Sequence, residues 1–173
     1  MLEETSILLA EDNEADVSLI RRALAQFRLI NRLLVVSDGA EAIAYLKGEG
    51  KFGNRSQFPI PGLLIANLEL PRIDGLELIR WLHEQAHLSS IRILALSASA
   101  DMLDIKAAYQ TGAHSYLPKP LRIDKFIDTV MAMNGYWLWT SNSIDYLRAS
   151  GPTLDPTAHA KSVERCPTEA NNS

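Results

Sequence analysis

The stretch at residues 63–75, LLIANLELPRIDG, constrains the fold more than any other part of the chain. Its apolar run stops at one polar side chain, Asn67, and Pro71 with Asp74-Gly75 then turns the chain. A strand that is apolar on both faces belongs inside a covered parallel sheet. Its last residue is then delivered to the carboxyl edge, so what Asn67 can do there bears on function.

The rest of the chain repeats this strand-then-helix pattern. The apolar run at residues 7–10 ends at Glu11-Asp12, and Asn13 is placed to cap a helix carrying Val17, Ile20, Leu24 and Phe27 at helical spacing. Residues 33–36 read as a second strand and 40–46 as a short helix stopped by Gly48. Residues 48–61, GEGKFGNRSQFPIP, have no periodicity and read as a long loop. After the third strand come a helix at 76–85, a strand at 91–96 ending at Ser97, a helix at 101–111, a short strand at 115–117 leading into Pro118-Lys119-Pro120, and a helix at 122–133. Such alternation implies an α/β fold, a doubly wound parallel sheet with helices on both faces and right-handed crossovers.

Composition narrows the function classes. With 173 residues, 47% of them hydrophobic, the chain can bury one full core. A net charge of -4 argues against a general nucleic-acid or anionic-membrane binder, since neither attraction arises without a basic surface. The single cysteine, Cys166, allows no internal disulfide, and the N-terminus MLEETSILLAED lacks a basic, extended apolar leader. A reducing, cytoplasmic setting is expected.

The polar residues at the strand ends carry the chemistry. In an open parallel sheet, ligands bind beyond the carboxyl ends of the strands, so Glu11, Asp12, Asn67, Ser97 and Lys119 are expected to converge. Two acids and a carboxamide offer oxygens to a hard cation such as Mg²⁺, while a hydroxyl and an ammonium can hold phosphoryl oxygens. Taken singly, each residue also has a plainer reading. Glu11 and Asp12 would be solvated acids near a helix N-terminus, Ser97 a turn residue, and Lys119 a surface lysine.

Glu11-Asp12, LELPRIDG, Ser97-Ala98 and Tyr116-Leu117-Pro118-Lys119-Pro120, in this order, resemble the receiver domain of bacterial response regulators over residues 6–135. Within that family the chain is most similar to small stand-alone regulators associated with phytochromes. The resemblance implies a flavodoxin-like sheet of order 2-1-3-4-5 and Mg²⁺-dependent aspartyl phosphorylation in two-component or phosphorelay signalling. It also implies a sensor histidine kinase or phosphotransfer protein as partner. It assigns the phosphoacceptor position to Asn67 and phosphoryl contacts to Ser97 and Lys119. Tyr116 takes the switch position, and Glu11, Asp12, Asn67 and the Glu69 backbone carbonyl the metal positions.

Asn67 departs from the family, which has Asp there. A carboxylate can attack phosphorus; a neutral amide with a delocalised lone pair cannot. Losing that charge weakens any Mg²⁺ site, by about 4 kcal/mol for unit charges roughly 4 Å apart at an effective dielectric near 20, before desolvation is deducted. It also relieves repulsion among the clustered acids. Two explanations stand: a natural pseudo-receiver acting through protein contacts, or a phosphorylatable receiver carrying an engineered Asn67.

One string in the sequence suggests an enzyme instead. His83-Glu84-Gln85-Ala86-His87 spells HExxH, the pattern that binds Zn²⁺ from one helix face in metalloproteases. Against it, Ser90 and Ile93 stand where further ligands would follow, and His87 lies at or beyond the expected helix end. His114 and His159 have no partner set.

The expected organisation is a receiver at residues 1–135, an aromatic extension at 136–149 and a polar, Pro-containing tail at 150–173. Tyr136, Trp137 and Trp139 either pack back on the last helix or form a partner surface, and a homodimer through helices four and five is one use for them. The extension and tail are too short for a typical DNA-binding or catalytic output domain. Output through a downstream protein, with no nucleic acid and no membrane, is the resulting expectation.

Overall fold

The computed structural model describes residues 5–133. The chain divides into two units, Met1–Ser141 and Asn142–Ser173, and the described residues lie within the first. The expected boundary at 135, the aromatic extension with Tyr136, Trp137 and Trp139, and the tail fall outside the described residues.

Five strands, β1 (Ile7–Ala10), β2 (Leu33–Val36), β3 (Leu63–Asn67), β4 (Arg92–Ser97) and β5 (Ser115–Pro118), form one parallel sheet of order β2-β1-β3-β4-β5. β1 and β3 are buried at every position because helices cover both faces. Side-chain alternation divides the core. Ile7, Leu9, Leu63, Ile65, Leu94 and Leu96 pack with helices α1 (Glu14–Gln26) and α5 (Ile123–Met133). Leu8, Ala10, Leu64, Ala66, Ile93 and Ala95 pack with α2 (Gly39–Lys47), α3 (Gly75–His83) and α4 (Met102–Thr111). Strands covered on both faces therefore need unbroken apolar runs, as β1 has throughout and β3 has up to Asn67.

Local chemistry sets the helix ends. Asn13 caps α1 by accepting from the Ala15 and Asp16 amides, Asp38 caps α2 through Glu41, Asp74 caps α3 through Glu77, and Asp101 caps α4 through Leu103. α2 ends at Gly48, whose φ of 74° is left-handed, as a C-terminal stop requires. α3 is displaced from the expected 76–85. Asp74 starts it at Gly75, and Gln85 is already extended, with φ -92° and ψ 95°.

The loop before β3 is more ordered than its sequence implied. It contains a 3-10 turn at Gly50–Phe52, and Phe52 and Phe58 pack on Tyr45 with ring centroids 5.1 and 6.0 Å away. Arg55 braces it, donating to the carbonyls of Tyr45, Leu46 and Phe58. These bonds close the loop against the end of α2.

Candidate functional site

The polar strand ends meet at the carboxyl edge. β1 carries Glu11 and Asp12 beyond its last residue, β3 ends on Asn67, β4 ends on Ser97, and Lys119 follows β5. Gly75 lets α3 start close to β3. A Cβ on Gly75 would lie 2.3 Å from the Asn67 carbonyl oxygen and 2.6 Å from Leu68 Cα, so only glycine fits without backbone movement.

Asn67 is 4% exposed and its amide is held on both sides. Nδ2 donates to Glu11 Oε1 at 3.1 Å, Asp12 Oδ1 at 3.3 Å and the Glu69 carbonyl at 3.5 Å, while Oδ1 accepts from the Glu69 amide at 3.2 Å. Three acceptors on one side and a donor on the other fix which way the amide faces.

Glu11 is 1% exposed and shares its carboxylate among three donors. Oε1 accepts from Asn67 and from the Asn13 amide at 3.0 Å, and Oε2 accepts from Lys119 Nζ at 2.8 Å. Lys119 also reaches Asp16 Oδ2 at 2.8 Å. Burial lowers the lysine pKa, but the hydrogen bonds to Asp16 and Glu11 outweigh it and hold the pKa above 10.5.

Ser97, 2% exposed, joins through a different partner. Its hydroxyl donates to Glu69 Oε1 at 2.5 Å, and Glu69 Oε2 accepts from the Ala98 amide at 3.4 Å. Ser97 Oγ in turn accepts from the Ser99 amide, and the Ser99 carbonyl accepts from the Tyr116 hydroxyl. Tyr116 is buried, with 8% exposed.

The anticipated residues thus come together, with two differences. Lys119 is engaged by Glu11 and Asp16, and Glu69 contributes its side chain as well as its carbonyl. Asp16 sits in the first turn of α1 and Glu69 in the bend that follows β3, so neither side chain stands at a strand end.

Whether this cluster fits a divalent cation turns on the Asn67 amide. Oxygens of Glu11, Asp12 and Glu69 point at one place, the donor set of a hard cation. That place faces the Nδ2 hydrogens, which repel a cation, and the amide oxygen is turned away. The arrangement does not fit the metal without turning the amide and breaking its hydrogen bonds. Among the described residues no group of three or more His, Cys, Asp or Glu is placed to hold a metal ion.

The HExxH string does not lie on one continuous α-helix. α3 ends at His83, Glu84 is its C-cap, and His87 lies in a separate 3-10 turn at Ala86–Leu88. The shared face that a zinc site needs is absent, which corrects the hydrolase alternative for His83, Glu84 and His87.

Residues 7–131 match the response regulator receiver domain family. The chain belongs to that family. This receiver is 30% identical over 134 residues to response regulator Rcp1 of Synechocystis sp. (strain ATCC 27184 / PCC 6803 / Kazusa), covering 78% of the chain and 89% of the relative. It is similar to the phosphorylated cyanobacterial phytochrome response regulator RcpA, with 33% identity, a TM-score of 0.65 and coverage of 78% and 94%. The Mn²⁺-bound form of Rcp1 is 28% identical with a TM-score of 0.65, at the same coverages. The resemblance read from the motifs and the sheet order 2-1-3-4-5 are both found. Among the described residues no helix is long and apolar enough to cross a membrane.

Proposed function

We propose that this receiver, a two-component signalling module, acts through protein contacts that do not depend on phosphorylation of residue 67. One observation carries the reading. Asn67 offers no nucleophile, and its Nδ2 sits among the Glu11, Asp12 and Glu69 oxygens where a metal ion would otherwise draw them together. A neutral donor there satisfies the acids without Mg²⁺, so the site holds its shape unassisted.

The partners proposed follow the relatives. RcpA is a phytochrome response regulator by description, which supports a sensor histidine kinase, of phytochrome type, or a phosphotransfer protein as the upstream partner. A downstream protein receives the output. α4 exposes Met102 and Leu103, about three-quarters accessible, which supports contacts on the α4–α5 side, including a homodimer to which Tyr136, Trp137 and Trp139 would add. A reducing, cytoplasmic location suits the single Cys166.

The test is intact mass after incubation with acetyl phosphate and Mg²⁺. The unaltered chain is expected to gain no phosphoryl mass; a stoichiometric adduct would overturn the reading. A second reading, that Asn67 replaces a natural Asp, is favoured by the survival of Glu11, Asp12, Ser97 and Lys119 around it. Uptake of phosphate by Asn67→Asp in the same experiment would support that history, and failure would count against it.

A further inference from the structure

The Glu69 carboxylate does not turn toward Asn67 or Lys119. It leans across to β4 instead, with one oxygen on the Ser97 hydroxyl at 2.5 Å and the other toward the Ala98 amide at 3.4 Å. A hydroxyl and a backbone N–H side by side at a strand end are the donors that hold an oxyanion. We propose that Glu69 is a built-in anion, its carboxylate filling the Ser97–Ala98 donor pair and holding the turn between β4 and α4 in one arrangement. This inference rests on the phosphorylation-independent reading above and names how the site keeps its state without a phosphoryl group.

The backbone aims this carboxylate. The Glu69 amide donates to Asn67 Oδ1 and its carbonyl accepts from Asn67 Nδ2, so the residue is pinned on both sides of its Cα. Ser97, 2% exposed, has almost no access to water and takes its acceptor from Glu69. The exposed body of Glu69 and the buried hydroxyl it serves thus meet at the rim of the site.

What the carboxylate holds extends beyond the pair. Ser97 Oγ accepts from the Ser99 amide, the Ser99 carbonyl accepts from the Tyr116 hydroxyl, and the Ser99 hydroxyl accepts from the Asp101 backbone amide and donates to the Asp104 carboxylate at the start of α4. A continuous set of hydrogen bonds therefore runs from Glu69 to buried Tyr116 and to the first turn of α4. That turn carries Met102 and Leu103, 74% and 75% exposed, so Glu69 helps fix where an apolar surface is presented.

The experiment is an amide-resolved NMR titration of the full chain with inorganic phosphate, against sodium chloride at matched ionic strength. In the unaltered protein the Ala98 and Ser99 amides are expected to respond no more to phosphate than to chloride. In Glu69→Ala the same amides should respond saturably, with affinity higher by about tenfold or more, the scale of one charge-assisted hydrogen bond. Without phosphate the Tyr116 ring signals of Glu69→Ala should broaden or shift, and with phosphate they should return. Equal phosphate responses in the two proteins, or Ala98, Ser99 and Tyr116 signals unchanged by the substitution, would overturn the proposal.

Glu69→Gln, which keeps shape and removes charge, serves if the alanine variant does not fold. It should admit phosphate more weakly than Glu69→Ala where both fold, and behaviour identical to the unaltered chain would refute the role of the charge. None of these measurements phosphorylates the protein. A phosphoryl adduct on residue 67 would therefore defeat the proposed function and leave this test separately readable.

Discussion

Lys119 Nζ lies 2.8 Å from Oε2 of Glu11, an acid whose side chain is wholly buried. Glu11 is tolerated there because this ammonium, the Asn67 amide and the Asn13 amide share its two oxygens. Removing one partner of a buried pair costs more than the pair itself contributes, because the remaining charge keeps its desolvation penalty.

Lys119→Met is accordingly expected to destabilise the fold by about 3–5 kcal/mol in urea unfolding. Adding Glu11→Gln should recover part of that loss, since the orphaned charge disappears. An additive double variant would show that the two residues are not coupled. The pH dependence has a defined sign. The folded-state pKa of Lys119 is raised above 10.5, so its contribution is complete below that value and is lost as pH climbs through the higher folded value.

His114 predicts the opposite limb. Its Nδ1 accepts from the Ile93 amide at 3.0 Å, and burial, then Arg92, then His83 hold its pKa below 6.5. The unfolded chain therefore binds this proton first as pH falls. Stability from the neutral imidazole is complete above about 6.5 and declines as pH drops toward the folded value. Denaturant midpoints between pH 7.5 and 5.5 should fall more steeply for the unaltered chain than for His114→Gln. Parallel slopes would refute the assignment.

Gly75→Ala tests how β3 and α3 place the central amide. Its Cβ would meet the Asn67 carbonyl oxygen at 2.3 Å, a backbone atom that no rotamer change can move aside. A loss of about 1–3 kcal/mol is expected from overpacking, with shifted Asn67 side-chain amide signals. Unchanged signals would mean that the helix start yields and the strand does not.

The sequence was most informative where one rule dominates. Strands buried on both faces show as unbroken apolar runs, and the residue that ends each run marks the site, which is why Glu11, Asn67 and Ser97 were found together. Asn13 was legible as a cap because a side-chain acceptor just before a helix has one obvious use. Asp16 and the Glu69 side chain were not assigned, since an acid in a first helical turn or beside a turn already has an adequate local explanation. The packing of Phe52 and Phe58 is not legible in the sequence, because their partner, Tyr45, lies on α2 and the loop has no period to project. The HExxH string failed for the complementary reason: a residue pattern carries a metal only when the backbone stays helical through it, and this one stops at His83.

Asn67→Asp brings the site's electrostatics into a single measurement. The substitution removes the donor that Glu11 Oε1, Asp12 Oδ1 and the Glu69 carbonyl share, and sets a carboxylate in its place. Unit charges near 4 Å interact by about 4 kcal/mol at an effective dielectric near 20, and the exposure of Asp12 reduces this, so a loss of about 1–3 kcal/mol without metal is expected. Mg²⁺ now meets an added oxygen ligand in place of an N–H. At a hundred times its Kd it should return about 2.7 kcal/mol. Thermal unfolding of both proteins with Mg²⁺ and with EDTA separates the outcomes. The unaltered chain should melt at the same temperature in either, while Asn67→Asp should melt lower in EDTA and rise with Mg²⁺. A rise of equal size in the unaltered chain would mean that the Asn67 amide turns to admit the metal, and that the neutral donor does not close the site.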